Sequence, residues 1–102
     1  MELTGKQRRY LRGLGVELKP TVFVGTAGIT ERLLQSLREA QYNAELVKVR
    51  IERSCPVDRK MAAGTLAEST SSHMVQILGR TILLYRPNEE NPVLQLPAAT
   101  EQ

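Results

Sequence analysis

Apolar positions recur along this chain with two periods, and the places where the period changes mark out its elements. From Leu3 to Leu14 they return every three to four residues. At about 100° per residue, Leu3, Gln7, Tyr10, Leu11 and Leu14 share one face, which predicts an amphipathic helix. Thr4 and Gln7 have the spacing of a capping box at its start. Gly13 and Gly15 predict its end, and Lys19-Pro20 prevents continuation. Thr21 to Val24 is a short β-branched and apolar run, hence a strand. Gly25-Thr26-Ala27-Gly28 breaks that strand. Thr30 then caps a second helix, with Ile29 and Leu34 at the positions of a hydrophobic staple. Leu33, Leu37 and Ala40 are its expected buried stripe, with Leu34 at the edge, Arg32, Gln35 and Glu39 toward water, and Asn43 as its stop.

From Leu46 to Ile51 the period shortens to two. Val47, Val49 and Ile51 point one way and Lys48 and Arg50 the other, the pattern of a half-buried strand. Ser54-Cys55-Pro56 reads as a loop. A third helix is expected from a cap at Asp58 to about Thr70, with Ala62, Ala63 and Leu66 inward. Met74 to Leu78 and Thr81 to Tyr85 are two apolar runs joined by Gly79-Arg80, which suits a type II′ hairpin. The order α-β-α-β-α-β-β predicts an α/β sandwich with a mixed four-stranded sheet. Residues 1–87 are expected to form a single domain. Residues 88–102, with few apolar anchors, read as a loosely structured tail in which Val93 to Leu96 pairs on a sheet edge.

Composition alters this picture in three respects. Aromatic residues are 4% of the chain with no Trp, so the core must be aliphatic and little exposed aromatic surface is expected. Base stacking therefore has little to work with. The net charge of +3 is modest, but Lys6, Arg8, Arg9, Arg12 and Lys19 face only Glu2 and Glu17 at the N-terminal end. Cys55 is the single cysteine, which excludes an intramolecular disulfide and fits a reducing compartment. No signal peptide and no membrane-spanning run is visible, so a cytoplasmic location is expected.

Two features carry candidate chemistry. A Gly-x-x-Gly between a strand and a helix start lets a backbone approach a ligand closely, and free N–H groups there suit a phosphate. On the four residues alone, a plain tight turn is the simpler account. The loop lacks the third glycine of a dinucleotide fingerprint and the Lys-Ser/Thr of a P-loop, so it resembles a clamp for a polymer backbone. The second feature is the first helix, where Arg8, Arg9 and Arg12, with Lys6 beside them, are expected opposite the apolar face. None of the three arginines has an acid four residues away to neutralise it. Lys48 and Arg50 extend the basic surface. For an isolated basic helix a solvated face is the simpler account, and for Lys48 and Arg50 the two readings balance. His73 and Cys55 have no partners at a catalytic or metal-ligating spacing. No enzyme activity, metal or cofactor is expected.

The stretches LTGKQRRYL (Leu3 to Leu11), LKPTVFVGTAGIT (Leu18 to Thr30), ELVKVRI (Glu45 to Ile51) and VQILGRTILLYRP (Val75 to Pro87) resemble, in order, the bacterial YhbY family, the stand-alone form of the CRM domain. The resemblance implies a fold similar to the C-terminal domain of translation initiation factor three. It also implies RNA binding through a KH-like GxxG loop and association with precursors of the large ribosomal subunit. By position the RNA-binding residues would be Gly25, Thr26, Ala27 and Gly28, with Lys6, Arg8, Arg9 and Arg12. Arg32, Lys48 and Arg50 complete the expected set. The expected partner is large-subunit precursor RNA, bound by a monomer, with no membrane and no small-molecule substrate. The rival reading is a protein-interaction module whose basic face only solubilises. Two departures stand out. Many members carry Lys inside the loop, where this chain has Thr26 and Ala27. Ser71 and Ser72 replace the family's Thr-Gly before the third strand, so a different ending of the third helix is expected.

Overall fold

The computed structural model describes residues 2–98; the last four residues of the expected tail lie outside them. Helix α1 spans Gly5–Gly15, strand β1 Val22–Val24, helix α2 Glu31–Asn43 and strand β2 Leu46–Ile51. Helix α3 spans Arg59–Thr70, strand β3 His73–Leu78 and strand β4 Thr81–Tyr85. The element order and the mixed four-stranded sheet are those expected. All three predicted helix starts are made by their caps, Thr4, Thr30 and Asp58. Thr4 Oγ1 accepts from the Gln7 N–H at 3.1 Å while Gln7 Oε1 accepts from the Thr4 N–H at 3.0 Å. Thr30 Oγ1 accepts from the Leu33 N–H at 3.0 Å.

The sheet runs in the order β1-β2-β4-β3. β1 and β2 are parallel, which requires the α2 crossover between them, and the other pairs are antiparallel. α2 and α3 cover one face. Their core joins Val22, Val24, Leu34, Leu37, Leu66 and Ile82 to the inward side of β2, where Val47, Val49 and Ile51 lie as the period of two requires. The opposite face holds a second, smaller core of Leu3, Leu11, Leu46, Val75, Leu83 and Tyr85 under α1. β4 is covered on both sides at this end, which is why Ile82 to Tyr85 is continuously apolar. Gly79 turns the hairpin at a φ of 59°, with Arg80 outside the left-handed region, as a type II′ turn demands.

Several expectations need correction. α1 buries Gln7, Leu11 and Gly15, while Tyr10 and Leu14 are 39% and 38% exposed. Arg8 and Arg12 are half-buried beside the contact line rather than opposite it. Two causes combine. A Cβ on Gly15 would lie 2.6 Å from Leu83 Cδ2, so this glycine lets the helix end sink onto β4. The Arg8 Nη1 also donates to the Met74 carbonyl at 2.6 Å. In α2 the buried line is Leu34, Leu37 and Gln41, with Leu33 and Ala40 flanking it. α3 ends in a left-handed cap at Ser71, φ 52°, with the Ser72 N–H donating to Ala67 O. This is the ending a glycine would make, so the serines do not change its form.

Val93 to Leu96 form no strand. Instead the segment after β4 wraps around the buried Glu45, 5% exposed. Its carboxylate accepts from the N–H groups of Asn88 at 2.7 Å, Val93 at 2.9 Å and Leu94 at 2.7 Å. Burial opposes the charge, the three donors outweigh it, and the carboxyl pKa falls below its ordinary value. Leu94 and Leu96 then pack on the second core, and the Gln7 Nε2 donates to Pro97 O at 3.0 Å. The chain beyond β4 thus braces α1.

Candidate nucleic-acid interface

The strand ends fix which loops meet. β1 and β2 run parallel, and the Glu52 N–H continues their ladder to Val24 O at 2.9 Å. Gly25 to Gly28 therefore emerges beside residues 52–57. The β3–β4 turn comes to the same end, where the Ile51 N–H donates to Arg80 O at 2.7 Å. One end of the molecule so gathers the Gly-x-x-Gly loop, the β2–α3 loop, the hairpin turn and the start of α2.

The loop is a β-turn closed by the Gly28 N–H donating to Gly25 O at 2.9 Å. Thr26 and Ala27 occupy its exposed tip. The two glycines differ. Gly28 is buried with φ 73°, 3.6 Å from Pro56 for a built Cβ, so the fold itself requires it. Gly25 has an ordinary φ, and a Cβ there would meet nothing within 4 Å. The fold has no need of glycine at that position; what its absent side chain leaves is access to the backbone. Among the described residues the start of α2 is less welcoming to an anion, because Glu31 occupies its first turn and pairs with Arg38 at 3.8 Å.

The cations expected from the sequence do not form one cluster. Arg8 sits at Met74, which the register places level with Leu84 and Val47. That is four residues, about 13 Å, along β2 from the loop end at Ile51. Arg9 is exposed on the outer side of α1. Arg12 lines a groove between the end of α1 and the sheet together with Lys48, Gln76 and Thr81. Arg50 is exposed one alternation further toward the loop. Arg12, Lys48 and Arg50 make no ion pair or side-chain hydrogen bond with a described residue. Arg32 is exposed at the second position of α2. Lys6 lies in the first turn of α1, at the braced end.

Sequence reasoning missed four residues here. Arg53 is exposed in the β2–α3 loop. Arg80 reaches back to Ile51 O at 3.4 Å and Glu52 O at 3.2 Å, and Arg59 holds Gly79 O at 2.7 Å. Both lock the loop end rigidly and leave it basic. Phe23 is 52% exposed, contrary to the expectation of little exposed aromatic surface. Alternation was a sufficient signal, since Val22 and Val24 cannot both be buried unless Phe23 points the other way. Among the described residues no three His, Cys, Asp or Glu side chains are grouped to hold a metal ion. No helix of the described residues is long and apolar enough to cross a membrane.

Comparison with known proteins agrees with the architecture. The solution structure of the hypothetical protein SAV1595 from Staphylococcus aureus superposes with a TM-score of 0.80 at 40% identity, over 94% of this chain and all of that one. YqeI of Bacillus subtilis (strain 168), named a probable RNA-binding protein, is 37% identical over 95 residues, covering 93% of this chain and 99% of YqeI. A Haemophilus influenzae protein named RNA-binding protein is 34% identical over 93% of this chain and 95% of its own length. The model of the CRS1/YhbY (CRM) domain matches residues 3–86, from the first core leucine to the residue after β4. This chain therefore belongs to the CRS1/YhbY (CRM) domain family.

Proposed function

We propose that this chain is a non-enzymatic RNA-binding protein of the cytoplasm, that it binds precursors of the large ribosomal subunit, and that it assists their assembly. Residues 1–87 form the binding unit, braced by the segment from Asn88 to Pro97. The observation that carries the reading is Gly25: a glycine with no folding role, opening a turn whose tip, Thr26 and Ala27, is exposed. In the mechanism, the Gly25–Gly28 backbone takes a phosphate, and Arg50, Lys48 and Arg12 continue a cationic track across the open sheet face. Arg9 and Arg32 add long-range attraction. Arg8 contributes mainly by fixing α1 on β3. The names of the relatives support the RNA partner; the ribosomal target rests on the family resemblance.

A protein partner is the second reading, favoured by one observation. Leu14, Leu18, Tyr42 and Val93 line an apolar groove of about 470 Å³ on the side away from Arg12. Crosslinking in cells followed by sequencing of the attached RNA separates the two. Large-subunit ribosomal RNA is the expected product. A scatter of messenger RNAs would refute the ribosomal target, and recovery of protein alone would favour the groove.

A further inference from the structure

Four residues in register cross the α1 side of the sheet where α1 no longer covers it. Phe23 pairs with Arg50, Arg50 with Thr81, and Thr81 with Leu78. The helix has ended at Gly15, and Phe23 and Leu78 are 52% and 66% exposed. Thr81 is half-buried, its hydroxyl donating to Leu78 O at 2.7 Å. The row is therefore an open floor with an aromatic ring at one side and a guanidinium next to it. Lys48 and Arg12 border the floor where the helix begins to cover it.

We propose that this floor binds an unpaired nucleotide of the RNA, its base stacked on Phe23 and its neighbouring phosphates held by Arg50 and Lys48. The inference rests on the RNA-binding reading above and deepens it by naming the kind of RNA the site takes. Three observations favour it. The apolar surface is not continuous, because Arg50 and Thr81 separate Phe23 from Leu78; a hydrophobic protein partner would have to bury an unpaired guanidinium, at a large cost. The row contains no acid, so its charge complements a polyanion. Phe23 lies two residues before Gly25, about 7 Å along the strand, a separation one nucleotide spans between its base and its phosphate. A base on Phe23 thus delivers its phosphate to the turn. A ring face accepts any base, so selection is for unpaired nucleotides rather than for a sequence. A continuous duplex cannot present a base face there.

Because the chain contains no Trp, Phe23→Trp supplies a single tryptophan at the site, excitable apart from the tyrosines. Titrating it with a ten-nucleotide single-stranded RNA should quench its emission, and titrating with a blunt RNA duplex should not. Phe23→Ala should weaken single-strand binding about 5- to 100-fold, the range for losing one stacked base. It should leave duplex binding within twofold, and Phe23→Tyr should restore the single-strand affinity. Phe23 belongs to neither core, so these variants should fold, as circular dichroism would verify. Wild-type single-strand affinity in folded Phe23→Ala, or equal quenching by duplex and single strand, would overturn the stacking site while leaving RNA binding intact. Failure of the wild type to bind either RNA would overturn the RNA-binding reading and the stacking site together.

Discussion

At Gly28 the backbone holds a φ of 73° above Pro56 and Val57, so an L side chain there costs about 1–2 kcal/mol before any ligand is considered. A charge at Gly28 would therefore confound folding with binding, whereas Gly25 offers the same test without strain. Ser71 is the converse case, a side chain held at φ 52° where glycine is free. Replacing it relieves the left-handed cost and adds chain entropy to the unfolded state, so Ser71→Gly should gain about 0.5–1 kcal/mol. Thermal denaturation checks this; an unchanged or lower midpoint would contradict it. Glu45 supplies a pH dependence. Its folded pKa is below the ordinary 4.5, so its contribution is complete above that value and is lost as pH falls through the lowered one. The amide resonances of Asn88, Val93 and Leu94 should titrate together below 4.5, and Glu45→Gln should abolish that shared titration. His73 acts in the same direction. Burial, and then nearby positive charge including Arg8, lower its pKa below 6.5, so its neutral form stabilises the fold until pH drops through the lowered value.

Among the elements, α1 shows how much a local pattern can convey. Its existence, its capping box and its end were legible because each depends on residues within one or two turns. Its rotation was not. Apolarity alone places the face through Tyr10 and Leu14, yet Gly15 meeting Leu83 and Arg8 meeting Met74 O decide the contact line. Both are long-range pairings that no periodicity encodes. The same holds for the tail, whose anchor is a single buried carboxylate some 45 residues earlier in the chain. The close approach of α1 to β4 has a direct test. Gly15→Val should destabilise by about 1–3 kcal/mol through overpacking. Leu83→Ala opens the space the new side chain needs, so the double variant should be more stable than the sum of the single effects predicts. Additivity in denaturant titrations would show that the two positions do not press on each other.

At the scale of the molecule, the two faces of the sheet have different tasks. α2 and α3 seal one face with the larger core, while α1 and the tail cover only part of the other and leave its loop end open. The basic residues follow that division. Arg8 is spent on structure, and Arg12, Lys48 and Arg50 border the open end without described partners. Strand alternation made Lys48 and Arg50 legible as outward-facing. That they lead to the Gly-x-x-Gly loop depends on sheet order and register, which the sequence does not state. If each cation meets one phosphate, replacing all three by Ala should lower the slope of log affinity against log salt by about 2–3. An unchanged slope in the folded triple variant would remove the track from the account.

The central claim is that the Gly25–Gly28 backbone holds an RNA phosphate, and the most direct measurement is the affinity of Gly25→Asp for large-subunit ribosomal RNA. The position has an ordinary φ and open space, so the variant should melt with the wild type. It should also bind at least about tenfold more weakly, a loss of about 1.4 kcal/mol. Wild-type affinity in a variant that melts normally would contradict the claim.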